Sequence, residues 1–395
     1  MNREFAARLM DIAMSRGVDE AEVYVKTSKS LGIEVKGQKI ETIESSKTLG
    51  YCIRVIKDKR LGFSYSTDPA EINSAAEKAI EASKYSEPDD YAGLPSNLEP
   101  SHVNIFDNEI VLLREEDAID RVMRLESSAL NENSRIRKIR KASGSFVTSD
   151  TYILNSNGIN VHYPSTGCSA QIMAIAENDN ESQMGWDYEG SRFLKDVSFE
   201  QVGRNAAKNA LRLLGAEKIS PLKGFILLDS SIASDFLGVL SSALSSESVQ
   251  KGKSMLAGKK GEPVASPGLN ILDNGLLDGR LGSKPVDDEG VPTSNKTLIE
   301  KGILKGFLYN TYTARKDSVT STGNAVRGGA SGLPTVGPSN LYMEPASSEY
   351  SAGFEGLLKN VDKGMYVIET MGMHTAFYGH IGALSLLIEG IDISG

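Results

Sequence analysis

The sequence has 395 residues, of which 40% are hydrophobic and 24% charged, so it is long enough for two or three domains with buried cores. Its net charge is −9, and the one basic stretch, Arg135 to Lys141, is interpreted as a solvated surface, which argues against direct binding of nucleic acid. No apolar run is long enough to span a membrane, and Cys52 and Cys168 do not make a disulfide framework. These features predict a cytoplasmic protein without a membrane partner.

The first half of the sequence carries one pattern of elements twice. Each copy has an amphipathic helix, then strand-like segments, then a closing helix. The closing helices are expected from Pro69 to about Lys84 and from about Ser198 to Leu214. The recurring landmarks are Tyr24 and Tyr152, Gly32 and Gly158, Tyr51–Ile56 and Ala170–Ile175, and Leu61–Tyr65 and Met184–Tyr188. We therefore predict a duplicated α+β domain over residues 1–220, with units at about 1–90 and 110–215.

The second half is rich in glycine and has few long helical patterns. A strand at Phe225–Leu228 precedes a helix that Ser231 or Ser234 can cap, and Ile299–Leu304 is typical of a hairpin with a Lys-Gly turn. Further strands are expected at Met365–Thr370 and Ala383–Ile388. The predicted fold class is α+β, with a mainly β domain over residues 221–395 that forms a curled sheet or partial barrel.

Several segments are similar to the TldD/PmbA family, often labelled modulators of DNA gyrase. The resemblance spans nearly the whole chain and rests on the order and spacing of segments, none of which is diagnostic alone. These segments are Val286–Thr293, Leu298–Lys316, Ser321–Arg327 and Met371–Ala376, with Trp186-x-Tyr188 and Ser191-Arg192 in the first half.

The family has two branches, and one of them carries His-Glu-x-x-x-His at the start of a helix and is a zinc peptidase. In this sequence the matching helix has Ser234 and Val239 where the histidines would stand, when Gly238 is placed on the family's glycine. Serine is a poor zinc ligand, and valine has no side-chain atom that can bind zinc. The resemblance therefore implies the PmbA/TldE-type branch, with no cofactor in this chain and zinc in a partner subunit. The histidines His374 and His380 lack the spacing of a closed zinc site.

Five residues are candidates for binding a substrate peptide: Asp287, Asp288, Asn324, Arg327 and His374. The carboxylates could hold a cation or a peptide amine, and Arg327 could clamp a peptide carboxylate. The alternatives are a solvated turn for the carboxylates, a structural ion pair for Arg327 and a hydrogen-bonded corner for His374. The segment Gly379–Gly382 departs from the family's pattern, so the peptide-binding residues of the family are not carried over to it.

The resemblance implies the non-metal subunit of a cytoplasmic TldD/TldE-type metallopeptidase complex that acts on unfolded or short peptides. The chain would shape the substrate cavity beside a TldD-type zinc subunit, and would be a homodimer when alone. A second hypothesis is a non-enzymatic homo-oligomeric protein that binds peptides or a regulatory partner. A third is an independent hydrolase that uses carboxylates such as Asp235 and Asp288.

Overall fold

The first half of the chain folds around one six-stranded antiparallel sheet. The structure is a computed structural model that describes residues 2–96, 98–179, 181–217, 223–359, 361–371 and 387–392. The sheet has the order β3-β2-β1-β4-β5-β6 and is strongly curled into a half-barrel. Its strands are β1 (Glu20–Lys36), β2 (Lys39–Lys57), β3 (Arg60–Ser66), β4 (Ile136–Asn155), β5 (Asn160–Glu177) and β6 (Ser182–Ser191).

Helices cover one face of this sheet, because alternate strand residues are apolar and need burial. Side chains such as Val23 and Ile53 pack under the helices of the first unit, and Ile172 and Phe146 pack under those of the second. The helices are α1 (Asn2–Met14) and α2 (Ile72–Lys84) in the first unit, and α3 (Asn108–Val111), α4 (Glu115–Leu130) and α5 (Phe199–Arg212) from the second.

The two units are arranged symmetrically about the centre of the sheet. Their first strands, β1 and β4, pair with each other, and their third strands, β3 and β6, form the two outer edges. Gly62 of β3 and Gly185 of β6 occupy equivalent places, since a Cβ on either would lie 1.9 or 2.1 Å from backbone atoms of the closing helix. These glycines let strand and helix approach closely.

Two pairs of landmarks do not correspond in the structure. Tyr24 lies in the buried cluster on the open face of the sheet, whereas Tyr152 packs under the helices of the first unit, so the predicted match of the two tyrosines is wrong. Gly32 lies within β1, paired with Glu44 and Ser145, whereas Gly158 has a φ of +99° in the turn between β4 and β5. A glycine in a turn and a glycine in a strand read alike in sequence, which is why this match of Gly32 to Gly158 is wrong.

Small sheets and short helices make up the second half. β8 (Leu269–Asn274) lies between β9 (Asn295–Glu300) and β13 (Leu341–Pro345), and β14 (Gly364–Met371) lies between β7 (Phe225–Leu228) and β15 (Leu387–Asp392). The remaining elements are α6 (Ser230–Ala243), α7 (Ser246–Gln250), β10 (Ile303–Leu304), α8 (Thr311–Lys316), β11 (Ala325–Val326), β12 (Thr335–Val336) and α9 (Phe354–Leu358).

Local predictions in this half have mixed outcomes. The hairpin of β9 and β10 turns at Lys301 and Gly302, with φ of +47° and +76°, as the Lys-Gly pair predicts. The predicted cap of α6 is wrong: Asp229 caps it, and its carboxylate accepts a hydrogen bond from the N–H of Ser231 at 3.0 Å.

The second half packs on the face of the sheet that the helices leave open. Tyr24, Cys52 and Tyr163 of the sheet form a buried cluster with Val286, and Ala330 packs against the same cluster. The α+β class is confirmed. The predicted domain boundary at Ser220-Pro221 lies outside the described residues and stays a prediction. None of the described helices is long and apolar enough to cross a membrane.

The close approach at Gly62 makes a testable prediction. Gly62→Ala places a methyl group against the carbonyl of Ala79 and should lower the free energy of unfolding by about 1–3 kcal/mol, the usual cost of overpacking. Gly238→Ala is the matched control, because nothing lies within 4 Å of its Cβ and alanine favours its helix. Urea unfolding of both variants measures the difference, and equal stability of the two would contradict the packing.

Candidate functional site

Three consecutive acidic residues, at positions 287–289, lie in a tight turn that is buried against the open face of the sheet. Asp287 and Val291 close the turn through a backbone hydrogen bond of 2.7 Å, and Gly290 adopts a φ of +85°. A Cβ at Gly290 would lie 2.6 Å from Ile159, so glycine serves both the conformation and the packing.

Asp287 holds this turn together. Its carboxylate accepts hydrogen bonds of 2.9 Å from the N–H groups of Glu289, Val291 and Ala325. Burial and, after it, the charge of Glu289 raise the pKa of Asp287 to about 8, although the three N–H donors act in the opposite direction. Among the described residues, the hydrogen-bond donors to this carboxylate are backbone groups of the chain itself.

Asp288 and Arg327 lie together beside the turn. Asp288 accepts hydrogen bonds of 2.8 Å from the ammonium group of Lys284 and from the N–H of Arg327. The guanidinium of Arg327 donates to the carbonyls of Asp288 and Gly332, at 3.1 and 2.9 Å, and stacks 5.3 Å from the ring centre of Tyr24. Arg327 therefore has partners on several sides.

A chain of buried ion pairs continues from Arg327 into the sheet. Arg327 pairs with Glu22, whose other oxygen lies 2.7 Å from Arg54, and Arg54 lies 2.8 Å from Glu289. All four side chains are at most 8% exposed. Burial lowers the pKa of Arg54, but the charges of Glu22 and Glu289 outweigh it and raise the pKa above its usual value. We name Arg327, Glu22, Arg54 and Glu289 the ion chain.

Asn324 belongs to a neighbouring buried cluster. Its amide donates to Asp273 at 2.8 Å and to the carbonyl of Gly337 at 3.0 Å. Asp273 also lies 3.2 Å from Lys296 and accepts a hydrogen bond of 2.6 Å from the N–H of Ser339. This cluster ties the strand β8 to the glycine-rich segment around β11 and β12.

The structure thus brings four of the five candidate residues into one buried region, where their polar groups bond to the protein itself. His374 lies outside the described residues. A role of these residues in binding substrate stays a prediction. Sequence analysis missed Glu22 and Arg54, although the strand pattern offered a signal: both are charged residues on the strand face opposite the apolar positions that the helices cover.

The sequence aligns α6 with the zinc helix of the family, and this alignment stays a prediction. Ser234 is exposed and donates its hydroxyl to the carbonyl of Ser230 at 2.9 Å, and Val239 offers no ligand atom. Among the described residues, no group of three or more His, Cys, Asp and Glu side chains could hold a metal ion. Asp235 is exposed on this helix whereas Asp288 is buried in the turn, so the two carboxylates differ in environment.

Comparison with known proteins assigns the family. Residues 21–83 match domain 1 of the PmbA/TldA metallopeptidases, residues 112–214 the central domain, and residues 223–392 the C-terminal domain. A metalloprotease PmbA homolog of Buchnera aphidicola is 31% identical over 410 residues, which cover 97% of this chain and 87% of that protein. The chain belongs to the PmbA/TldD metallopeptidase family.

Relatives and solved structures agree with this assignment. Metalloprotease PmbA of Escherichia coli O157:H7 is 27% identical, over 93% of this chain and 80% of that protein. A crystal structure from Thermotoga maritima, described as a modulator of a DNA gyrase, superposes with a TM-score of 0.87 at 27% identity, over 99% of this chain and 88% of that one. TldE from Thermococcus kodakarensis shares the fold, with a TM-score of 0.82 at 24% identity over 93% of this chain and 83% of that one.

The ion chain makes a prediction about stability. Arg54→Met removes the cation between Glu22 and Glu289, so that Glu22 keeps only Arg327 and Glu289 loses its ion-pair partner. The free energy of unfolding should fall by about 3–5 kcal/mol, because a buried charge is left uncompensated. The control Lys305→Met breaks an exposed pair with Glu300 and should cost about 1 kcal/mol or less. Chemical unfolding compares the two, and similar costs would show that the ion chain is not a structural element.

Proposed function

We propose that this chain is the non-metal subunit of a TldD/TldE-type metallopeptidase complex in the cytoplasm, and that it helps to enclose the cavity for unfolded or short peptides. The zinc would lie in a TldD-type partner, where it would polarise the peptide carbonyl and activate water. The family assignment supports the peptidase class. The observation that carries the subunit role is the presence of Ser234 and Val239 on α6, where the resemblance to the family leads us to expect its two histidines.

An exposed apolar surface beside α6 supports a partner at this place. Phe225 and Ile226 of β7 are 60% and 63% exposed, and Phe236 of α6 also reaches solvent. In the described part of the chain, β7 is an outer strand of its sheet, with β14 on one side. Exposed apolar patches of this kind mark protein–protein contacts. A subunit that pairs here would cover the helix on which the family places its metal.

The zinc content of the purified chain tests the absence of a metal site. After dialysis against a metal-free buffer, elemental analysis should find far less than one zinc per chain, because Ser234 and Val239 cannot replace two histidine ligands. About one zinc per chain would overturn this part of the proposal.

Reconstitution tests the subunit role. The chain alone should show no peptidase activity, and mixing it with a TldD-type subunit should give chelator-sensitive cleavage of unfolded peptides. Ile226→Lys should weaken pairing at least about tenfold, because it places a charge in the apolar surface. The matched control Ile40→Lys changes an isoleucine that is 45% exposed on β2, and it should pair normally.

Two results would speak against the proposal. Chelator-insensitive cleavage by the chain alone would favour an independent hydrolase. A stable homo-oligomer that binds peptides but neither pairs with a TldD-type subunit nor supports cleavage would favour a non-enzymatic binding protein.

A further inference from the structure

A polar cavity lies on the open face of the six-stranded sheet. Its volume is about 260 Å³, and it is lined by residues of β1, β2, β4, β5 and β6. The lining side chains are mostly small and polar, such as Ser143, Ser145 and Gln171, while Tyr188 forms an aromatic wall. This volume is near the lower end for pockets that hold small ligands.

The wall at Tyr188 belongs to a row of exposed apolar side chains on β6. Met184, Trp186 and Tyr188 alternate along the strand, so they point to one face, and they are 40%, 47% and 48% exposed. β6 is an outer strand of the sheet. The carbonyl of Trp186 accepts a hydrogen bond of 3.0 Å from the side chain of Asn209, and the outward backbone groups of β6 that have no such partner can pair with an added strand. The lack of a side chain at Gly190 leaves room for the Tyr188 ring, because a Cβ at Gly190 would lie 2.6 Å from the tyrosine hydroxyl.

The internal symmetry shows that this surface lacks the cover that its counterpart has. Gly62 pairs with Val55 and Gly185 with Ala174, which aligns β2 with β5 and places Cys52 at the position of Gln171. Cys52 is 1% exposed because the second half of the chain packs over it, whereas Gln171 lines the open cavity.

The charges at the cavity select the kind of ligand. Glu34 and Glu44 are acidic, and none of the described lining residues is basic. Lys141 lies 3.9 Å from Glu34, and among the described residues Glu44 has no ion-pair partner. A positively charged group therefore fits the cavity best.

We infer that the open face beside β6 binds the amino-terminal end of a short peptide with apolar side chains. The peptide ammonium lies near Glu44, the first side chains rest on Tyr188 and Trp186, and the backbone extends along the outer edge of β6. This inference rests on the proposed handling of peptides and locates a contact for them away from α6.

Binding of trileucine to the whole chain tests the inference. Calorimetry gives the affinity, and fluorescence of Trp186, which is the single tryptophan of the sequence, reports the location. Tyr188→Ala should weaken binding about tenfold. The matched control Tyr65→Ala changes the equivalent tyrosine on β3, which is 55% exposed, and should have no effect.

The acetylated peptide separates charge from shape. Glu44→Gln should weaken binding of trileucine about threefold, as for an exposed ion pair, but should not change binding of N-acetyl-trileucine. Glu41→Gln, an exposed carboxylate of β2 that pairs with Lys36, is the charge control.

Several results would overturn the inference. The absence of trileucine binding at millimolar concentration would overturn it. So would a Tyr65→Ala variant that weakens binding as much as Tyr188→Ala does. A Glu44→Gln variant that weakens binding of both peptides equally would also overturn it. A dimer that Tyr188→Ala converts to monomers in sedimentation would instead make the surface an interface between copies. Because the assay uses the chain alone, its failure leaves the reconstituted cleavage as a separate test of the proposed function.

Discussion

The ion chain of Arg327, Glu22, Arg54 and Glu289 is the constraint that joins the two halves of the molecule. Glu22 and Arg54 lie in the six-stranded sheet and pair with each other, and each of them also pairs with a member from the second half, Arg327 or Glu289. Such networks add little net stability over an apolar core, but losing one member is costly. We therefore expect the ion chain to fix how the second half sits on the sheet, rather than to increase stability.

The duplicated first half explains why one open surface remains. Two similar units place helices on one face of the sheet, and the second half of the chain covers the other face at Tyr24 and Cys52 of the first unit. The corresponding face of the second unit carries Tyr188 and Trp186 in solvent. A symmetric sheet with an asymmetric cover thus leaves a place for a ligand or partner.

The sequence predicts much of the fold, because local patterns determine it. The closing helices, the Lys-Gly hairpin and the equivalence of Gly62 and Gly185 follow from periodicity and glycine chemistry. The ion chain could not be predicted in this way, since Arg54 and Glu289 are 235 residues apart and Glu22 and Arg327 are 305 apart. Alternation along a strand identifies a face of the sheet but not what covers it. In the same way, the sequence of the turn does not show that Asp287 to Glu289 are buried against the sheet, and so from sequence alone these residues are interpreted as a solvated turn or a ligand site.

A double-mutant cycle between Glu22 and Arg327 tests the role of the ion chain most directly. Glu22→Leu and Arg327→Met are made singly and together, and the free energy of unfolding is measured for each. If the ion chain joins the halves, the double variant should be more stable than the sum of the single effects predicts, with a coupling of about 1–3 kcal/mol. Effects that add to within about 0.5 kcal/mol would contradict the account.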